Sequence, residues 1–146
     1  MTSPMTAREI VAEARPAGSG RKGTKMGIRR ILVVDDSATE RYMLKDLLTK
    51  AGYEVISSEN GEDAIVKARH IKPDLILMDV VMPGLNGFQA TRAISRDPLT
   101  KSIPVIMCTS KSQETDKIWG LRQGAKDYVV KPVDREVLLA KIASLG

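Results

Sequence analysis

Aromatic residues are scarce in this sequence, with one Trp, one Phe and three Tyr among 146 positions. Any core must therefore rest on Ile, Leu, Val, Met and Ala. Cysteine occurs once, at Cys108, which rules out an intrachain disulfide and fits a reducing compartment. Its place at the end of the run Ile103-Pro104-Val105-Ile106-Met107-Cys108 marks it as a small core residue, not a reactive thiol. No apolar stretch reaches the roughly 18 residues of a membrane span, and the N-terminus has no apolar block of the signal-peptide kind. These absences leave a cytoplasmic protein without a membrane span as the expectation. The length suits one domain with a full core and is too short for two ordinary ones.

Charge is not concentrated either. Five basic residues in positions 1–27, against Glu9 and Glu13, account for +3 of the net +5 and leave only +2 for the remainder. Without a dense basic face, no nucleic-acid partner is expected. Binding of nucleic acid through the basic arm is the weakest of three functional readings. Residues 15–27 hold four Gly, a Pro and a Ser with almost nothing to bury, so positions 1–27 read as a flexible basic extension. A short helix over 6–15 is the one exception there. Met26, just before the first strand, offers an alternative start.

From Arg29 onward a strand–helix alternation repeats five times. The strands are expected at Arg30–Val34, Glu54–Ser58, Leu75–Met78, Val105–Cys108 and Tyr128–Val130. Three are nearly continuous apolar runs, as strands covered on both faces should be, while the second is more polar and suits an edge. Ser37-Ala38-Thr39-Glu40 reads as a capping box opening the first helix, with Met43, Leu44, Leu47, Leu48 and Ala51 as its apolar face. Asn60 opens the second helix, Gly87 to Ser95 forms the third, and Asp134 caps the fifth. The fourth runs from Ser112 to about Gln123 with Ile118 and Leu121 as apolar positions, and Gly124 supplies its left-handed end. With right-handed crossovers, about 120 residues in five units fit an open five-stranded parallel, doubly wound α/β sheet better than a barrel, and 2-1-3-4-5 is its flavodoxin-like order. Functional loops in such a sheet lie at the carboxyl ends of the strands.

Asp35 and Asp36 directly follow the first strand, and Asp79 follows the third, its neighbour in that order. Three carboxylates packed together repel unless a cation lies between them. With oxygen ligands and no nearby His or Cys, the natural occupant is Mg²⁺. Thr109 and Ser110 follow the fourth strand and Lys131-Pro132 the fifth, bringing a hydroxyl and an ammonium to the same edge. Alone, an Asp-Asp pair is commonly a turn or a cap, and a Lys-Pro merely a strand end. Together on neighbouring strand ends they suit an Asp nucleophile attacking phosphorus, with Asp79 as acceptor and the adjacent pair holding the ion.

Over residues 28–146 these motifs resemble the CheY-like receiver family of two-component response regulators. The resemblance rests on Ile31-Leu32-Val33-Val34-Asp35-Asp36-Ser37, Leu77-Met78-Asp79-Val80-Val81-Met82-Pro83-Gly84, Thr109 and Lys131-Pro132. It implies that Asp79 is the phosphoacceptor and that Asp35, Asp36 and the Val81 carbonyl complete the metal site. Thr109 and Tyr128 become the switch residues, Lys131 the family's lysine, and the Lys-Pro bond cis. Val81 and Lys111 match positions that influence loss of the phosphoryl group. The segments Pro83–Arg92 and Gln113–Ala125 further resemble the regulators of the chemotaxis-like system that controls type IV pili and twitching motility. The implied protein is a stand-alone receiver, not an enzyme, that assists its own Mg²⁺-dependent phosphorylation. Its implied partners are a chemotaxis-type sensor histidine kinase and pilus motor or regulatory proteins. A phosphate sink or scaffold with little partner binding is the second reading. His70, near the end of the second helix, reads as a surface residue. Trp119, on the fourth helix, is read either as a partner anchor or as partly packed.

Overall fold

A computed structural model describes residues 27–146. The extension expected over 1–27, with its helix at 6–15, lies outside the described residues except for Gly27. The remainder alternates strands β1 (Arg30–Val34), β2 (Glu54–Ser58), β3 (Leu75–Met78), β4 (Val105–Thr109) and β5 (Asp127–Val130) with five helices. These are α1 (Ala38–Lys50), α2 (Gly61–Ile71), α3 (Gly87–Arg96), α4 (Glu114–Arg122) and α5 (Arg135–Leu145). All neighbouring strands pair in parallel, in the expected order β2-β1-β3-β4-β5.

β1, β3 and β4 are buried along their whole length, which is why residues 31–34, 75–78 and 105–108 are unbroken apolar runs. Alternation along β1 sends Leu32 and Val34 to one face of the sheet and Ile31 and Val33 to the other. The first face packs Ala64 and Ala68 of α2 and Ala90 and Ile94 of α3. The second packs Leu44 and Leu48 of α1 and Leu138 and Ile142 of α5, with Cys108 among them. Each fully buried Leu or Ile contributes about 1.5–3 kcal/mol relative to exposure, so the two layers together hold the strand ends in register. Burial pushes the Cys108 thiol up to about 12, as its reading as a core residue requires.

The register places the chemistry. Val34 of β1 lies opposite Met78 of β3, so Asp35 and Asp79 emerge side by side, and the Asp79 N–H donates to the Val34 carbonyl at 3.0 Å. Thr109 of β4 lies opposite Val130 of β5, and the Lys131 N–H donates to the Thr109 carbonyl at 2.9 Å. The Lys131–Pro132 bond is cis. At the start of α3, a Cβ on Gly87 would collide with the Asp79 carbonyl, so only glycine lets this helix begin so close to the acidic edge.

Several sequence expectations need correction. Met43 does not join the apolar face of α1 but is largely exposed. Ile118 and Leu121 are also exposed, and in α4 only Gly120 is buried. A Cβ at Gly120 would come within 3.2 Å of Met107 and 3.3 Å of the Tyr128 ring, so α4 rests on the sheet through its backbone. Its apolar side chains are left pointing outward. The capping box of α1 is only half made. Ser37 Oγ accepts from the Glu40 N–H at 3.2 Å, but the Ser37 N–H that the glutamate should bind donates to Asp35 Oδ1 instead, at 2.9 Å. By contrast, the box at α3 is complete, with Asn86 and Gln89 bonded reciprocally at 2.9 Å.

Candidate functional site

Because β1 and β3 end level with one another, Asp35, Asp36 and Asp79 offer carboxylate oxygens that all lie within 4.8 Å of each other. Asp35 and Asp79 are buried and Asp36 is exposed, so the cluster opens to solvent on one side. Lys131, carried by the end of β5, reaches across the sheet edge. Its Nζ lies 2.5 Å from Asp35 Oδ2, 3.6 Å from Glu40 Oε1 and 3.7 Å from Asp79 Oδ2. Burial works against the ammonium, but the bond to Asp35 and the fields of Asp79, Asp35 and Glu40 outweigh it and raise the Lys131 pKa.

Asp79 is held differently. Its Oδ1 accepts the Val80 N–H at 2.8 Å, which fixes the carboxylate plane. Loss of water on burial raises its pKa above the ordinary value, assisted by the Asp35 charge. The Thr109 hydroxyl, Lys131 and the Val80 N–H pull the other way and do not prevail. A carboxylate is thus held in a site that disfavours its charge, a condition common at functional sites.

Thr109, the last residue of β4, is fully buried, and its Oγ1 accepts the Lys111 N–H at 3.3 Å. Tyr128 lies on the neighbouring strand with its ring inside, and its hydroxyl donates to the Lys111 carbonyl at 2.8 Å. Burial pushes that phenol up to about 12. Lys111 is therefore tied through its backbone to both expected switch residues, donating to Thr109 and accepting from Tyr128. Val81 follows two residues after Asp79 in the β3–α3 loop with its side chain exposed, and Ser110 is exposed beside Thr109. His70 lies exposed on α2 and takes no part.

Two residues at the edge escaped the sequence reading. Arg41 donates from Nη1 to the Asp35 carbonyl at 2.7 Å, and Glu40 faces Lys131. Both stand one helical turn beyond the acidic pair. That spacing is a usable signal, which the capping-box pattern of Ser37-Ala38-Thr39-Glu40 masks.

The donor set consists of carboxylate oxygens only, held by backbone register and partly open to water, which fits a hard divalent cation such as Mg²⁺. Asp35, Asp36 and Asp79 would hold it, and a bound ion would relieve their mutual repulsion. A ligand that binds only the folded chain stabilises it, by about 1.4 kcal/mol at ten times its Kd. Thermal unfolding should therefore rise with millimolar Mg²⁺, and by less in Asp36→Asn. A wild-type midpoint indifferent to Mg²⁺ would contradict this assignment.

Residues 31–143 match the response regulator receiver domain family. The chain belongs to that family. Such a receiver acts as a phosphoacceptor, not as a conventional enzyme. This one is 60% identical over 113 residues to protein PilH of Pseudomonas aeruginosa, covering 77% of this chain and 93% of that protein. It is 44% identical over 106 residues to chemotaxis protein CheY of Thermotoga maritima, covering 71% of this chain and 86% of that one. Among solved structures, the receiver resembles chemotaxis protein CheY4 of Vibrio cholerae with a TM-score of 0.76 at 33% identity, over 82% of this chain and all of that one. Family membership carries with it interaction with a histidine kinase. Among the described residues, no helix is long and apolar enough to cross a membrane.

Proposed function

We propose that this receiver is a response regulator phosphorylated on Asp79 by a chemotaxis-type histidine kinase, and that it controls type IV pilus twitching motility through protein contacts. The observation that carries the reading is Asp79 itself: buried, raised in pKa, and 3.7 Å from an ammonium that is anchored on Asp35. A carboxylate oxygen of Asp79 attacks phosphorus. The bond from phosphorus to the donor nitrogen of the kinase histidine breaks, and its electron pair stays on that imidazole. Asp35, Asp36, Asp79 and the Val81 carbonyl would hold Mg²⁺, which when bound would supply charge neutralisation to the transferring group. Lys131 turns from Asp35 toward the new oxygens, and the Thr109 hydroxyl follows. Drawing Thr109 inward disturbs its bond to the Lys111 N–H, while Tyr128 holds the carbonyl of the same residue. The loop before α4 therefore feels the phosphoryl group directly, a local charge event biasing a two-state element.

The pilus role rests on the similarity to PilH, and the outward side chains of α4 support an output by contact. Ile118, Trp119 and Leu121 stand exposed on the helix that this loop feeds, and an exposed Trp is a common anchor at interfaces. The reading is tested by capturing cellular proteins on the full chain with and without beryllofluoride, a phosphoryl analogue. Pilus motor or regulatory proteins should be retained only with the analogue. Rapid transfer from the kinase with no analogue-dependent partner would instead mark a phosphate sink.

A further inference from the structure

We propose that Glu40 is a positioning residue that acts through Lys131 and makes the site selective against free, highly charged phosphodonors. This rests on Asp79 being the phosphoacceptor. Lys131 faces three carboxylates, and two of them, Asp35 and Asp79, belong to the acidic cluster itself. The third, Glu40, lies 3.6 Å away on α1 and is not part of that cluster.

Its place there is built by the local hydrogen bonds. At this position of a helix, a glutamate ordinarily turns back to bond the N–H of the capping residue. Here that N–H belongs to Ser37 and already donates to Asp35 Oδ1. The Glu40 backbone stays capped by Ser37 Oγ, while its side chain turns to Lys131. That side chain is 38% exposed, against 13% for Lys131, so its charge stands on the solvent side of the ammonium.

Two effects follow from this position. Glu40 holds Lys131 toward α1, so the ammonium must leave one more partner before it meets a phosphoryl oxygen. It also puts a negative charge where an anionic donor has to approach, and both effects oppose phosphorylation. The second grows with the net charge of the donor and fades as salt screens it. A donor that carries compensating positive charge around its phosphoryl group is opposed less.

The test compares phosphorylation rates of wild type, Glu40→Gln and Glu40→Asp with two small donors at equal, saturating Mg²⁺. Acetyl phosphate carries two negative charges near neutral pH, and phosphoramidate carries one fewer net charge. Glu40→Gln should speed reaction with acetyl phosphate by about threefold at low ionic strength, with a smaller gain for phosphoramidate, and both gains should shrink in high salt. Glu40→Asp, which keeps the charge, should stay near wild type. In the metal-free, unphosphorylated protein, the Lys131 ammonium resonance should move in the Gln variant and much less in the Asp variant. An equal gain with both donors, a gain indifferent to salt, or no gain at all would overturn the role of Glu40. Failure of the wild type to label at Asp79 would overturn the phosphoacceptor reading as well, and so the two failures can be told apart.

Discussion

Asp79→Asn should lose all acid-labile phosphorylation, from kinase or small donor, while gaining stability in the absence of metal. The loss follows from chemistry, because an amide oxygen cannot attack phosphorus and leave a stable acyl phosphate. The gain follows from burial. Asp79 is only 8% exposed, and desolvation raises its pKa. A carboxyl group whose folded-state pKa lies above its unfolded value contributes stability that is complete below about pH 3.9 and is lost as pH rises through the folded value. Asparagine has no such dependence. In chelator, the advantage of Asp79→Asn should therefore open as pH climbs past about 4 and level off once pH exceeds the raised folded-state value. Urea denaturation across pH checks the stability, and intact-mass analysis checks the labelling. A variant that still labels stoichiometrically, or one less stable than wild type at pH 7 without metal, would contradict the site.

Lys131→Ala should be the most destabilising single change at this edge when metal is absent. Lys131 is anchored at 2.5 Å to Asp35, whose side chain is 2% exposed, and it also faces Glu40 and Asp79. Removing one partner of a buried pair leaves the other charge uncompensated, which typically costs 3–5 kcal/mol. The open side at Asp36 lets water in, so we expect about 3 kcal/mol in chelator. Saturating Mg²⁺ should recover part of that loss, because the ion takes over neutralisation of the same carboxylates. The phosphorylated variant should also fail to transmit its state, since no ammonium remains to meet the new dianion. Denaturation with and without Mg²⁺, and amide spectra of α4 with and without beryllofluoride, measure the two effects. A metal-free loss below about 1 kcal/mol would show that Asp35 does not depend on this lysine.

The alternation of apolar runs and capped helices determined the fold class and the residues at the strand ends. It could do so because burial on both faces leaves a continuous apolar signature, and because crossovers in parallel sheets have one hand. The convergence of Asp35, Asp36, Asp79, Thr109 and Lys131 was legible for the same reason. Each stands within a residue or two of a strand end, and register carries all of them to one edge.

Side-chain choices between competing partners were decided only in three dimensions. Ser37-Ala38-Thr39-Glu40 has the composition of a capping box, yet Asp35 takes the Ser37 N–H and releases Glu40 toward a lysine 91 positions away in sequence. Ile118 and Leu121 have the chemistry of core residues, yet Gly120 brings the backbone of α4 onto Met107 and Tyr128 and turns them to water. Met43 is apolar and still exposed. Sequence records what each residue prefers, and periodicity sums those preferences into strands and helices. Which of two satisfactory partners a residue takes depends on distances of a few ångströms, and those are set only when the packed layers fix the strand ends.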